Sequence, residues 1–221
     1  MPPRQFKSTV FAVISALLAA VPASAQEQAR PVPAIWKEQE ITFYFQSFTT
    51  FYSCNGLETK LERLLRQLGA TADVKVRSAE CPGAIARMPR VVMKVSSPIE
   101  ATPEALAARD KDKSTRELAA RVQGKQAEKE LQQSLQQFPA QWRPVSLARG
   151  KLDLDAGDCE LIDELRRKVL PKLAVRIVKD NVHCSPNQLT LGQPQLEVEA
   201  LIEIPKPDAA GAAKSPRKQK T

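Results

Sequence analysis

One spacing recurs in the chain and restricts its architecture more than any other feature. Trp36, Cys54 and Cys81 follow one another in the first half, and Trp142, Cys159 and Cys184 in the second. The step from tryptophan to cysteine is 18 residues in one half and 17 in the other, and from cysteine to cysteine 27 and 25. An apolar run then ends at Pro98 in the first half and at Pro205 in the second.

The segments between these landmarks share their periods. Leu57, Leu61, Leu64, Leu65 and Leu68 recur at three- and four-residue steps, one face of a helix that opens near Cys54 and stops at Gly69. Leu161, Leu165, Val169 and Leu173 repeat that face behind Asp158, which stands where an N-cap belongs. Leu57, Leu61 and Leu65 align with Leu161, Leu165 and Val169 without a gap. Alternation at period two follows each helix, with Val74 and Val76 in one half and Val175 and Ile177 in the other. Second strands are expected at residues 91–95 and 196–204. First strands are expected at residues 41–52 and 143–148, where Pro144 marks the latter as a candidate edge. Each half therefore reads strand–helix–strand–strand. The expected fold is α+β: two disulfide-stapled βαββ units, an internal duplication, joined by a helical connector. The units span residues 34–98 and 139–205, and the connector residues 99–138.

The cysteine pairing follows from reach. A helix of about 15 residues and a strand of about seven each cover roughly 22 Å. The residue opening the helix and the one ending the next strand thus return to the same end of the unit. Cys54 and Cys81 hold those places, as do Cys159 and Cys184, so two bonds within the halves are predicted. Each closes a loop worth about 3.5 kcal/mol in the chain-entropy model.

An even cysteine count fits an oxidising compartment, and the N-terminus agrees. Arg4 and Lys7 precede an almost wholly apolar stretch at residues 10–21, then Pro22 and the small-residue triplet Ala23-Ser24-Ala25. That order reads as a signal peptide over residues 1–25, cleaved before Gln26. Twelve helical residues rise about 18 Å, too short to span a core of about 30 Å, so no membrane span is expected once the signal is removed. The expected location is periplasmic or secreted by a bacterial route.

The chain's charge of +8 is concentrated at its ends. The signal carries two bases and no acid. The tail, residues 206–221, carries five bases against Asp208 and reads as disordered. What remains holds 26 bases and 24 acids, which does not make a phosphate-tracking groove, and no nucleic-acid partner is expected.

Between the halves, Thr102-Pro103-Glu104 carries an N-cap, a proline at the first helical position and an early acid, so a helix starts there. Residues 128–138 are also helix-prone, with Leu131, Leu135 and Phe138 on one face.

Catalytic chemistry has little to stand on. The single histidine, His183, adjoins Cys184, and strand neighbours point to opposite faces, so a shared metal is not expected. No C-x-x-C, phosphate loop or dinucleotide fingerprint occurs, so no cofactor is expected. Asp153, Asp155 and Asp158 are spaced like the start of a calcium loop, but the sixth place is Asp158 rather than glycine, and a charged turn capped by Asp158 is preferred. Residues 43–52 hold six of the nine Phe and Tyr residues, and one face of such a strand would leave the core. Tyr44, Phe48 and Tyr52 share that face and form the candidate binding surface. The expected function is a non-enzymatic interaction or ligand-binding module, its partner an envelope protein or small ligand. A carboxylate-dependent envelope hydrolase is the alternative, and a metal or thiol-redox protein a more distant one that requires free thiols.

Overall fold

A computed structural model describes residues 30–81, 85, 87–125, 135–185, 187–188 and 195–205, so the expected signal peptide and basic tail lie outside the described residues. The strands are β1 (Val32–Tyr44), β2 (Thr71–Arg77), β3 (Arg90–Glu100), β4 (Phe138–Ala148), β5 (Val175–Asn181) and β6 (Gln195–Glu203). Helix α1 (Cys54–Gln67) lies between β1 and β2, α2 (Pro103–Gln123) between β3 and β4, and α3 (Cys159–Glu164) opens the helical run between β4 and β5. All six strands form one antiparallel sheet in the order β2-β3-β1-β4-β6-β5. No described helix is long and apolar enough to cross a membrane.

Helix α1 forms where its leucine stripe predicts. Ser53 caps it by accepting from the Gly56 N–H, and Leu57, Leu61, Leu64, Leu65 and Leu68 are all buried. Each contributes about 2 kcal/mol of apolar burial. Gly69 ends the helix at φ +77°, with its N–H on the Arg66 carbonyl and the Ala70 N–H on the Leu65 carbonyl, a Schellman closure. The second helical run is less regular. A 3-10 turn at Ala156–Asp158 leads into α3, a π turn follows at Leu165–Val169, and a 3-10 turn closes the run at Leu170–Lys172. Pro171 lacks the N–H that would continue an α-helix, and the π turn brings both Val169 and Leu170 into the core.

These helices cover one face of the sheet. Ile41 and Phe43 of β1 sit opposite Met93 and Val91 of β3, and Val74 opposite Met93 across the next ladder. With Leu147, Leu196, Val198 and Ala200 from the other half and the leucines of α1 and the second run, they form one continuous core. On the opposite face a smaller cluster of Ala34, Phe138, Ala140 and Leu201 is flanked by Trp36 and Trp142. The Trp36 ring lies 5.0 Å from Phe138, and the Arg176 guanidinium lies 3.8 Å over Trp142.

Both predicted disulfides are present, Cys54–Cys81 and Cys159–Cys184, with Cα separations of 6.1 and 5.7 Å. All four cysteines are thus bonded, and no free thiol remains for redox chemistry.

Three sequence expectations need correction. The first strand runs Val32–Tyr44 rather than 41–52, because the charged stretch at residues 37–40 pairs with β3 and the polar residues after Phe45 leave the sheet. Phe138 opens β4 instead of closing a helix, pairing with Ala34. β4 is an interior strand, yet it pairs with β1 over only three positions, Phe138 to Ala140. Beyond Ala140 β6 is the one strand that flanks it among the described residues, so Pro144 interrupts no ladder on the β1 side.

Candidate functional site

Where β1 ends, the chain turns away from the sheet and crosses to the second half. Residues 45–53 are held there by two buried carboxylates at the start of the second helical run. One oxygen of Glu160 accepts from the Ser47 hydroxyl, the Phe48 N–H at 2.8 Å and the Thr49 N–H at 3.1 Å. The Ser47 hydroxyl in turn accepts from the Thr50 N–H at 3.2 Å. Gly157 packs so closely against the Thr50 side chain that no Cβ would fit.

Asp158, 1% exposed, is the second anchor. It accepts from the Tyr52 hydroxyl, the Lys60 ammonium at 2.5 Å and the Asp155 N–H at 2.7 Å. Its carboxylate therefore ties the loop and α1 to the second half; Asp158 stands at the N-cap of α3 as expected, but its side chain closes the preceding 3-10 turn on the Asp155 N–H instead of bonding to α3. Burial raises the Tyr52 phenol far above its ordinary value, and the hydrogen bond to Asp158 and the charges of Asp158, Glu160 and Asp155 raise it further. The contact is reciprocal, since Asp153, in the loop after β4, pairs with Arg63 of α1, and Leu154 of that loop is fully buried.

The anchored loop turns some of its rings outward. Phe43 and Phe45 are core residues, whereas Tyr44 is 62% exposed, Phe48 47% and Phe51 44%. Tyr44 and Phe48 thus stand at the surface. Tyr52 is partly buried, 5.7 Å from the Phe45 ring, with Lys60 5.5 Å over its own. Phe51 was not singled out by strand alternation, because its exposure comes from the loop path.

Phe48 also borders a pocket of about 200 Å³ lined by Gln46, Glu160, Asp163, Glu164 and Arg167. Glu160 is engaged by the loop and Asp163 by Arg166 at 2.6 Å and Arg167 at 2.9 Å, whereas Glu164 gives one oxygen to Arg167 at 2.7 Å and keeps the other buried without a partner among the described residues. A larger open hollow of about 650 Å³ lies on the sheet, bordered by Glu38, Glu40, Asp73 and Lys94. Among the described residues no group of three or more His, Cys, Asp or Glu side chains is placed to hold a metal, and His183 is exposed. The arrangement can present aromatic surface on a fixed backbone. Compared with family models, with curated proteins and with solved structures, the chain matches none.

Proposed function

We propose that the protein is an exported, non-enzymatic interaction module that binds an envelope protein or small ligand through the aromatic loop after β1. The observation that carries this reading is at Phe48: its N–H is fixed by Glu160 while the residue is 47% exposed. A loop ordered before binding loses little entropy when a partner arrives, and exposed rings supply most of the contact energy. Tyr44 and Phe51 extend the same surface, and Tyr52 serves it through Asp158 as an anchor.

The reading includes an internal duplication of a βαββ unit. It is supported by the strand order, which is the same read from either edge of the sheet to its centre, and by Pro33 facing Pro139 at that centre. Trp36 and Trp142 stand three residues beyond those prolines in their strands. A hydrolytic function has less support, because Glu160 and Asp163 in that pocket are tied to donors, which leaves, among the acids lining it, the second oxygen of Glu164 to exchange a proton where carboxylate-dependent hydrolysis takes a pair.

The test is recovery of a cross-linked envelope partner by the wild type and by a Tyr44→Ala/Phe48→Ala/Phe51→Ala variant. Matching thermal melts with loss of the cross-link support the reading. Equal recovery by both proteins refutes it.

A further inference from the structure

The pocket beside Phe48 is short of positive charge. Glu160, Asp163 and Glu164 line it, and two guanidinium groups serve them together with Asp180. Arg166 spans Asp163 and Asp180, each at 2.6 Å, and Arg167 spans Asp163 and one oxygen of Glu164. Glu160 has no ion-pair partner among the described residues. Its Oε2 is taken by neutral donors of the aromatic loop. Its Oε1 is met by the Thr49 hydroxyl at 3.4 Å, too long for a strong bond.

Glu164 carries the sharper signal. It is 9% exposed, lines the pocket, and keeps its Oε2 buried with no hydrogen-bond partner among the described residues. A buried carboxylate oxygen without a donor is costly, and folded proteins keep few of them. Glu160 and Glu164 stand four residues apart on α3, so they project from the same side of the helix, about 6 Å apart at Cβ. Both border the same hollow as Phe48.

These features select a ligand. Among the described residues no group of acids is placed to hold a metal. The hollow of about 200 Å³ is smaller than the roughly 300 Å³ at which ordinary small-molecule sites begin, and it suits the end of one side chain. A guanidinium is planar and always charged, carries several N–H donors in one plane, and packs its face on aromatic rings. It can bond a carboxylate at its edge while its face lies on Phe48. We propose that this pocket takes a guanidinium group of the bound partner, held between Glu164 and Phe48 and balanced in charge by Glu160. The inference rests on the reading of the aromatic loop as a binding surface and names what that partner carries.

The test is titration of Nα-acetylarginine amide into the disulfide-intact chain, followed by amide chemical shifts. Saturable shifts confined to residues 46–49 and 160–167 are expected. Nα-acetylcitrulline amide, the same shape without the charge, should bind about tenfold more weakly or worse, and Nα-acetyllysine amide several-fold more weakly. Glu164→Gln keeps an oxygen for Arg167 and should weaken binding by about tenfold without lowering the thermal melt. A preference for the capped residue over free arginine identifies a protein partner as the source of the group, and the reverse preference a small ligand; each supports guanidinium recognition. Absence of saturable shifts overturns the proposal. So does equal binding of either analogue, or an unchanged affinity in Glu164→Gln. If the titration fails while the triple aromatic variant loses its cross-linked partner, the pocket falls and the loop reading stands. If the titration succeeds while that variant recovers the partner as the wild type does, the loop reading falls and the guanidinium site stands alone.

Discussion

Replacing Glu160 tests how the loop is anchored. Its carboxylate takes three donors on one oxygen, the Ser47 hydroxyl and the N–H groups of Phe48 and Thr49. Hydrogen bonds to a charged acceptor contribute about 1.5–3 kcal/mol each, but water can reach part of this loop and the three are not additive. Glu160→Ala should therefore cost about 3–4 kcal/mol, chiefly through donors left without a partner. Glu160→Gln keeps an acceptor oxygen in place and should cost about 1–2 kcal/mol, the loss of charge assistance. Ser47→Ala removes one donor and should cost about 1 kcal/mol. Urea unfolding with both disulfides intact reads these values. With a slope of about 2 kcal/mol per molar, Glu160→Ala should lower the midpoint by about 1.5–2 M. Amide exchange at Phe48 and Thr49 should accelerate in Glu160→Ala. A midpoint within about 0.2 M of wild type, with those amides still protected, would refute the anchoring role.

Two further outcomes follow from the same geometry. The Tyr52 phenol is raised in the folded state, so its contribution to stability is whole below the unfolded value near 10 and declines as pH rises beyond it; Tyr52→Phe should flatten the fall in melting temperature above about pH 10, and an unchanged slope would contradict the burial of that proton. Gly69 sits at φ +77° with a Cβ position 2.8 Å from the Leu201 carbonyl oxygen, so Gly69→Ala should cost about 2–3 kcal/mol in thermal or urea unfolding, against less than about 1 kcal/mol if strand β6 could shift to accept it.

The parts of the fold legible in the sequence are those fixed by local pattern. The leucine stripe of α1, the Thr102 cap of α2 and both disulfides were readable because each rests on residues close in the chain or on the reach of one unit. β1 was misplaced because its middle carries Lys37, Glu38, Gln39 and Glu40, and their fitness for a strand depends on neighbours such as the Lys172 carbonyl that receives the Gln39 amide. The candidate site was half legible. Aromatic density pointed to residues 43–52, but which rings stay outside depends on Glu160 and Asp158, more than 100 residues away. Asp158 reads locally as a helix cap, and only the tertiary arrangement shows Lys60 and Tyr52 converging on it.

The separation between Ser47 and Glu160, 113 residues, also bears on the order of assembly. A chain made from its N-terminus can close Cys54–Cys81 and pair β1 with β3 early. The loop after β1 then has no seat until the start of the second helical run has been synthesised. Until then the Tyr52 hydroxyl lacks the Asp158 carboxylate, and Ser47, Phe48 and Thr49 lack the carboxylate of Glu160. The final geometry of this loop therefore depends on residues of the C-terminal half. A chain truncated before Asp158 would be expected to present itself to chaperones and proteases as unfinished, however well its first disulfide had formed.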